Sequence, residues 1–482
     1  MRTFETNRVV RHTGSKYPIF QAPIGGMSRG QWAGAVSAAG GMGLVATMTG
    51  TFFAGVETLE KDAEYIRSLT DHPFGYHLLP DAMSQDEATE EEILSWVEKN
   101  GVPFVAIGYS GYTMPNAKDK WRFIRRLKDA GKICYYVVDS LEEALRSEDA
   151  GVDGLIVNGA DAGGARSTQG AHIFALLQQV RRRTDLPLVS AGGIADGIGM
   201  AGAVGLGAEG ILMGTRFMAA HECPIHLNVK NELAKAQKIY HLEVGLPDTL
   251  MLVVANEYSE KFKRGEIERT GNAYGGNALA CFFEGRTDLA MVGGGESALL
   301  FDSVKSAAEI VDDTVAGFWE EIERLASVGL PDASWRSPRD VSAPARSKAK
   351  APPQSKPIVQ APAQDGPRSS PPLQTESVKA MEGPLAGSWI TKLNSPTGPM
   401  EGALELLDVD GAFSGTMSGN GNTSELSDIK VNGNRVAWIC NVVNPVPMKL
   451  EFEGHMSEPN KLAGRVKAGI LGSMNWSAER RA

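Results

Sequence analysis

The chain is short of cysteine, of long apolar runs and of surplus positive charge, and each shortage removes a class of function. Its four cysteines, Cys134, Cys223, Cys281 and Cys440, are scattered over 482 residues and form no CxxC pair. That spacing argues against a disulfide-stapled scaffold and fits reduced, buried thiols in a cytoplasmic protein. No apolar run approaches the roughly 20 residues a membrane helix needs. The opening MRTFETNRVVRHTG is charged and lacks an apolar core, so no secretory leader is expected. The formal net charge is −10. No basic face is evident, and nucleic acid is not an expected partner.

What is present is ordinary globular chemistry with an excess of glycine. Apolar residues make up 42% and charged residues 22%, and the 55 glycines cluster at segment ends without a repeat, as loop glycines do. Up to about residue 220, short apolar runs alternate with helical-length segments. Strands are expected near 18–24, 42–47, 73–79, 104–109, 132–138, 154–159, 186–193 and 209–217. They are almost continuously apolar, as strands buried on both faces are. Amphipathic stretches such as 54–69, 86–99, 116–130 and 171–183 separate them. Eight such alternations predict an α/β fold, a (β/α)8 TIM barrel, whose active site lies at the C-terminal strand ends. Residues 221–300 break the rhythm and read as an inserted, partly helical segment beside the mouth. A closing helix is expected over 304–328, with Ala307, Ile310, Val311, Val315, Phe318 and Ile322 near one face.

Two further regions follow the barrel domain, taken as 1–335. Residues 336–383 are dominated by Pro, Ala, Ser, Lys and Gln and read as a disordered or polyproline linker. Residues 384–482 show alternating runs broken by Gly/Asn/Asp turns. They predict an antiparallel sandwich or small barrel to which no role can be assigned.

The chemistry gathers at the expected strand ends. The seventh barrel strand runs into Ala191-Gly192-Gly193 and the eighth, through Met213, into Gly214-Thr215. Glycines that expose backbone N–H groups there form an anion cradle, and in a TIM barrel these two loops commonly hold a phosphate. The first strand ends in Ala22-Pro23-Ile24-Gly25-Gly26, and the sixth in Asn158-Gly159-Ala160-Asp161-Ala162-Gly163-Gly164-Ala165. Small residues at three strand ends together with one phosphate site predict a planar, singly phosphorylated ligand. FMN fits better than a dinucleotide. The GxGxxG at 197–202 lies within a helical stretch and not at a strand end. His221, Glu222 and His226 exceed HExxH spacing by one residue, which turns the two imidazoles about 140° apart on a helix. Neither a dinucleotide fold nor a metal site is expected.

Taken together, QAPIGG, GADAGG, SAGGIADG and GAEGILMGTRF resemble the nitronate monooxygenase (2-nitropropane dioxygenase) family over about residues 15–330. Flavin-dependent enoyl-acyl-carrier-protein reductases and some NAD(P)H:quinone reductases are close relatives of that family. The resemblance implies that Ala22, Pro23 and Ile24 lie against the flavin ring, with Gly163 and Gly164 below it. It also implies that Ala191, Gly192, Gly193, Met213, Gly214 and Thr215 surround the phosphate. Two positions depart from the family pattern. The family usually carries a histidine base where this chain has Ala165, and often an asparagine where it has His77. A methyl group takes no proton, so candidate catalytic groups are His77, His172 and Arg166, with His77 also beside the cofactor. The activity implied is oxidation of alkyl nitronates by O2 to a carbonyl compound and nitrite. The alternatives are an NAD(P)H-dependent reductase of a quinone or enoyl thioester, or an FMN-binding scaffold that has lost turnover. Partners would be a small-molecule substrate with O2 or NAD(P)H, and self-association is left open.

Overall fold

In a computed structural model the described residues are 3–47, 56–79, 87–108, 121–244, 248–267, 277–328 and 385–481, the last with short internal gaps. The linker expected at 336–383 lies outside them, as do parts of the segments expected at 54–69 and 116–130. Eight parallel strands form one sheet. They are β1 (Ile19–Gln21), β2 (Gly43–Ala46), β3 (Phe74–Leu78), β4 (Phe104–Ile107), β5 (Ile133–Val138), β6 (Gly154–Asn158), β8 (Leu188–Ala191) and β9 (Gly210–Met213). A bridge from Phe20 to Met42, at the start of β2, joins the two sheet edges. The result is the TIM-type barrel that the alternation predicts, with helices between strands.

Strand alternation sorts the apolar residues into two layers. Phe20, Leu44, Phe104, Tyr135, Ile156 and Val189 fill the barrel interior, while Tyr76, Val105, Tyr136 and Val157 pack outward under the helices. Phe104 stacks between Phe20 and Tyr135 at centroid distances of 5.6 and 5.1 Å. The N-terminal end is closed by the helix Arg8–Thr13, capped by Asn7. His12 Nδ1 reaches the Tyr135 hydroxyl at 3.0 Å, and Arg8 pairs with Glu209. A plugged bottom leaves the C-terminal strand ends as the open end. The helix Ala307–Ser327 starts in a reciprocal Ser306–Glu309 cap and buries Ala307, Ile310, Val311 and Phe318 along its expected face.

To its expected helices the 221–300 stretch adds a pair of strands, β10 (Ile239–Glu243) and β11 (Thr249–Val254). They join β7 (Gly164–Ser167) in a three-stranded antiparallel sheet. The C-terminal alternative resolves to a closed eight-stranded antiparallel barrel, β12 (Gly387–Ser395) to β19 (Ser473–Arg480). Its interior holds Trp389, Trp438, Phe452 and Trp476. The Trp476 ring lies against Gly454, where a β-carbon would come within 2.6 Å of it.

All four cysteines are free and buried. Burial pushes the Cys134, Cys223 and Cys281 thiols up to about 12, which keeps them protonated and inert. No described helix is long and apolar enough to cross a membrane.

Candidate active site

At the barrel mouth the alternation inside each strand decides which side chains face the axis. In β3, Phe74, Tyr76 and Leu78 pack outward, so Gly75 and His77 point inward. The His77 imidazole is 7% exposed. Burial pushes it down to about 4, so it is neutral near pH 7. Its Nδ1 is buried and has no hydrogen-bond partner. Gly108, at the end of β4, leaves the room that the Nε2 edge occupies, since any β-carbon there would collide with it. The Thr47 amide and hydroxyl donate to the His77 carbonyl at 3.0 and 2.8 Å and fix the strand end. The same alternation brings Ala22, Ala46, Asn158, Ala191 and Gly214 to this level. Among the described residues the polar side chains at this level are His77, Asp139 and Asn158, and the other positions named are methyl groups or bare backbone.

The loop after β6 is held from several sides. Asp161 Oδ1 bonds His172 Nδ1 at 2.8 Å, and its Oδ2 accepts from the Ile173 amide at 2.7 Å. His172 therefore sits at the start of the helix Ile173–Arg181 with its side chain 67% exposed. The Arg166 guanidinium donates to the carbonyls of Ala162, Gly163 and Ala165 at 3.1, 2.6 and 2.8 Å. These bonds tie the arginine to its own loop. Ala165 pairs with Met251 across β7 and β11 and packs on an apolar cluster containing Tyr240, Met251, Val253 and Phe262.

The phosphate candidates lie beside this loop. Gly192 and Gly193 have φ of +103° and +69°, a region that side chains rarely adopt. A β-carbon on Gly192 would stand 3.0 Å from the Ala162 amide. Among the described residues the Gly192 and Gly193 amides make no hydrogen bond within the chain. Two adjacent free donors of this kind fit an anion. A β-carbon on Gly214 would sit 3.3 Å from that of Ala22, so the first and last strand ends also approach closely.

One element escaped the sequence reading. The Gly293-Gly294-Gly295 run docks between the Asp161–Gly163 turn and Thr215. The Gly295 amide donates to the buried Thr215 hydroxyl at 3.1 Å, and the Glu296 amide to the Asp161 carbonyl at 3.2 Å. A β-carbon on Gly163 would lie 2.6 Å from the Gly295 nitrogen. The only sequence signal was the triple glycine itself, since its partners lie more than 75 residues away.

The two decoys have structural roles. Asp196 caps the helix Gly197–Gly205 by accepting from Gly199 at 2.9 Å. Any β-carbon on Gly197 would collide with the Gly317–Phe318 backbone, so this glycine serves helix packing. His226 Nδ1 caps its own helix through the Asn228 amide at 3.1 Å.

The nitronate monooxygenase family model matches residues 7–245. The barrel domain belongs to the nitronate monooxygenase family. The probable nitronate monooxygenase of Staphylococcus aureus (strain MRSA252) is 26% identical over 254 residues, spanning 45% of this chain and 68% of that protein. Among solved structures, FabK from Thermotoga maritima aligns at 29% identity with a TM-score of 0.57, over 67% of this chain and 98% of its own. A nitroalkane oxidase from Streptomyces ansochromogenes shares the fold, with a TM-score of 0.54 at 24% identity over 66% of this chain and 99% of its own. Family and fold together make this domain an oxidoreductase.

Proposed function

We propose that the barrel domain binds FMN at its C-terminal mouth and oxidises small alkyl nitronates with O2, releasing a carbonyl compound and nitrite. The observation that carries the cofactor assignment is the pair of free amides at Gly192 and Gly193, beside Gly214 and Thr215, facing a rim of alanine and glycine. Those amides would hold the phosphate. The backbone of Ala22, Pro23 and Ile24 would lie against the ring, and the Gly163–Gly164 turn beneath it. The flavin supplies the electron transfer between substrate and oxygen.

The chain's own residues orient and exclude. Among the described residues the rim is methyl and bare backbone except at His77, Asp139 and Asn158, which favours a small substrate. His77 is neutral near pH 7, and its unpartnered Nδ1 offers one hydrogen bond to whatever occupies the mouth. Ala165 has no proton to give or take. A nitronate is already deprotonated and needs no base, whereas a neutral nitroalkane does. Asp161 spends its carboxylate on His172 and Ile173, and Arg166 spends donors on its own loop. We assign Asp161, His172 and Arg166 to holding the 159–166 loop in place.

The test is release of nitrite in air from a nitronate and from the parent nitroalkane, with the cofactor freed by denaturation and its phosphate counted. A singly phosphorylated flavin and nitrite from the nitronate alone are expected. Protein that neither carries nor takes up FMN overturns the reading. A second reading, an NAD(P)H-dependent reductase of a quinone or enoyl thioester, draws support from Ala165 and the full-length alignment with FabK. It predicts NAD(P)H consumption without nitrite.

A further inference from the structure

The C-terminal barrel carries three interior indoles, and they are not equivalent. Trp389 donates its Nε1–H to the Leu385 carbonyl at 3.2 Å. Trp476 shares its own between the Glu453 and Arg465 carbonyls, both at 3.2 Å. Trp438 is 2% exposed, and its Nε1 is buried with no acceptor. It stacks on Phe452 at 5.3 Å and meets Trp476 edge-on at 5.1 Å, so it is held at the centre of the aromatic interior. A buried donor without an acceptor is costly, and native interiors rarely leave one.

The wall beside it is also incomplete. The ladder between β13 (Gly398–Val409) and β14 (Ala412–Gly419) and that between β16 (Arg435–Val442) and β17 (Met448–Glu458) each run through eight paired positions. The ladder between β14 (Ala412–Gly419) and β15 (Asn422–Asn432) pairs only Thr416–Gly419 with Asn422–Glu425. Beyond that point β15 bulges away between Ser427 and Lys430, with Asp428 at a φ of +50°. Hydrogen bonding therefore lapses along a seam between Phe413–Gly415 and the second half of β15, where the Leu426 side chain rests against Gly415. The side chains flanking it, Phe413, Met417, Leu426 and Ile429, pack on the interior cluster yet are only half-buried. Leu404, which pairs with Met417 from the neighbouring strand, and Leu462 are by contrast fully buried.

An eight-stranded barrel is just wide enough for its side chains or for one small ligand. We propose that this barrel binds a small, neutral, apolar molecule bearing an acceptor oxygen. It enters through the β14–β15 seam and takes its hydrogen bond from Trp438 Nε1. Neutrality follows from the lining: among the described residues Thr391 is the only polar side chain buried in this domain outside the indoles and Cys440. The binding is independent of the chemistry proposed for the TIM barrel.

The test compares acetophenone with ethylbenzene, which has similar size and no acceptor, on the full chain. Affinity is read by calorimetry and the indole N–H resonances by NMR. Acetophenone is expected to bind about two- to tenfold tighter, the worth of one net hydrogen bond, and to shift one buried indole N–H. In Trp438→Phe that resonance is absent, and the two probes bind equally. Equal affinity of the wild-type chain for both, or no binding of either, overturns the proposal. The wild-type comparison decides the matter even if the variant fails to fold.

Discussion

Acidification should act on this barrel through His77 more than through any other histidine described at the mouth. Its imidazole takes up a proton near pH 6.5 in the unfolded chain but only near pH 4 when folded, because the folded site strips it of water. Above pH 6.5 both states are neutral there, and the group contributes no pH dependence. Between pH 6.5 and 4 the unfolded chain binds the proton and the folded chain does not, so stability falls as pH falls. A gap of about 2.5 pH units corresponds to ~3 kcal/mol over the window, with a limiting slope of about 1.4 kcal/mol per pH unit. The perturbation that isolates it is His77→Asn, which removes the titrating group and keeps a polar side chain. The assay is urea unfolding of ligand-free protein at a series of pH values. It is followed by the helical far-UV signal, to which the antiparallel C-terminal barrel contributes little. Wild type should lose ~3 kcal/mol more than the variant between pH 6.5 and 4. Parallel losses in the two proteins would refute the argument that a neutral, desolvated imidazole sits at the mouth.

Other changes have equally direct outcomes. Gly295→Ala drives a methyl group toward the Gly163 amide and the Asp161 carbonyl, at 2.5 and 2.7 Å. It should destabilise the barrel by about 1–3 kcal/mol and weaken flavin retention, measured by thermal melting and by dialysis against free FMN. Asp161→Ala removes the acceptor from the Ile173 amide and from His172, so a loss of about 1–2 kcal/mol is expected in the same melts. Ala165→His tests whether a missing base is what restricts the enzyme to nitronates. Gain of nitrite release from neutral nitroalkanes would support that reading. No gain would indicate that the 165 side chain stays on the Tyr240–Met251 face. Trp476→Ala should cost the C-terminal barrel about 3–5 kcal/mol, read by near-UV melting, because its buried ring fills the space over Gly454.

Local signals were legible in the sequence where a residue's neighbours are near in sequence or set by period. Apolar runs such as Gly154–Asn158 and Leu188–Ala191 fall where expected because strands covered on both faces need no polar positions. The face of the helix Ala307–Ser327 followed from its 3.6-residue period. The mouth followed too, because barrel topology puts the ends of β1, β6, β8 and β9 together. What the pattern missed depends on distant contact. Gly164–Ser167 reads as a loop, and becomes a strand only because β11, more than 80 residues later, supplies its partner. Arg166 reads as a free charge, and only folding shows it bonded to three carbonyls of its own turn. The Gly295–Thr215 bond joins segments 80 residues apart and leaves no periodic trace. In the C-terminal domain, alternation predicts an antiparallel architecture. Closure, the short β14–β15 ladder and the unsatisfied Trp438 are consequences of register, which a single sequence does not encode locally.

The central claim is a flavin at the mouth that accepts electrons from a nitronate without the help of a base. The most direct measurement is anaerobic mixing of the FMN-loaded chain with a nitronate, with its parent nitroalkane, and with NADPH, followed by flavin absorbance. The account predicts bleaching by the nitronate and by neither of the others. Bleaching by NADPH with none by the nitronate would contradict it and favour the reductase.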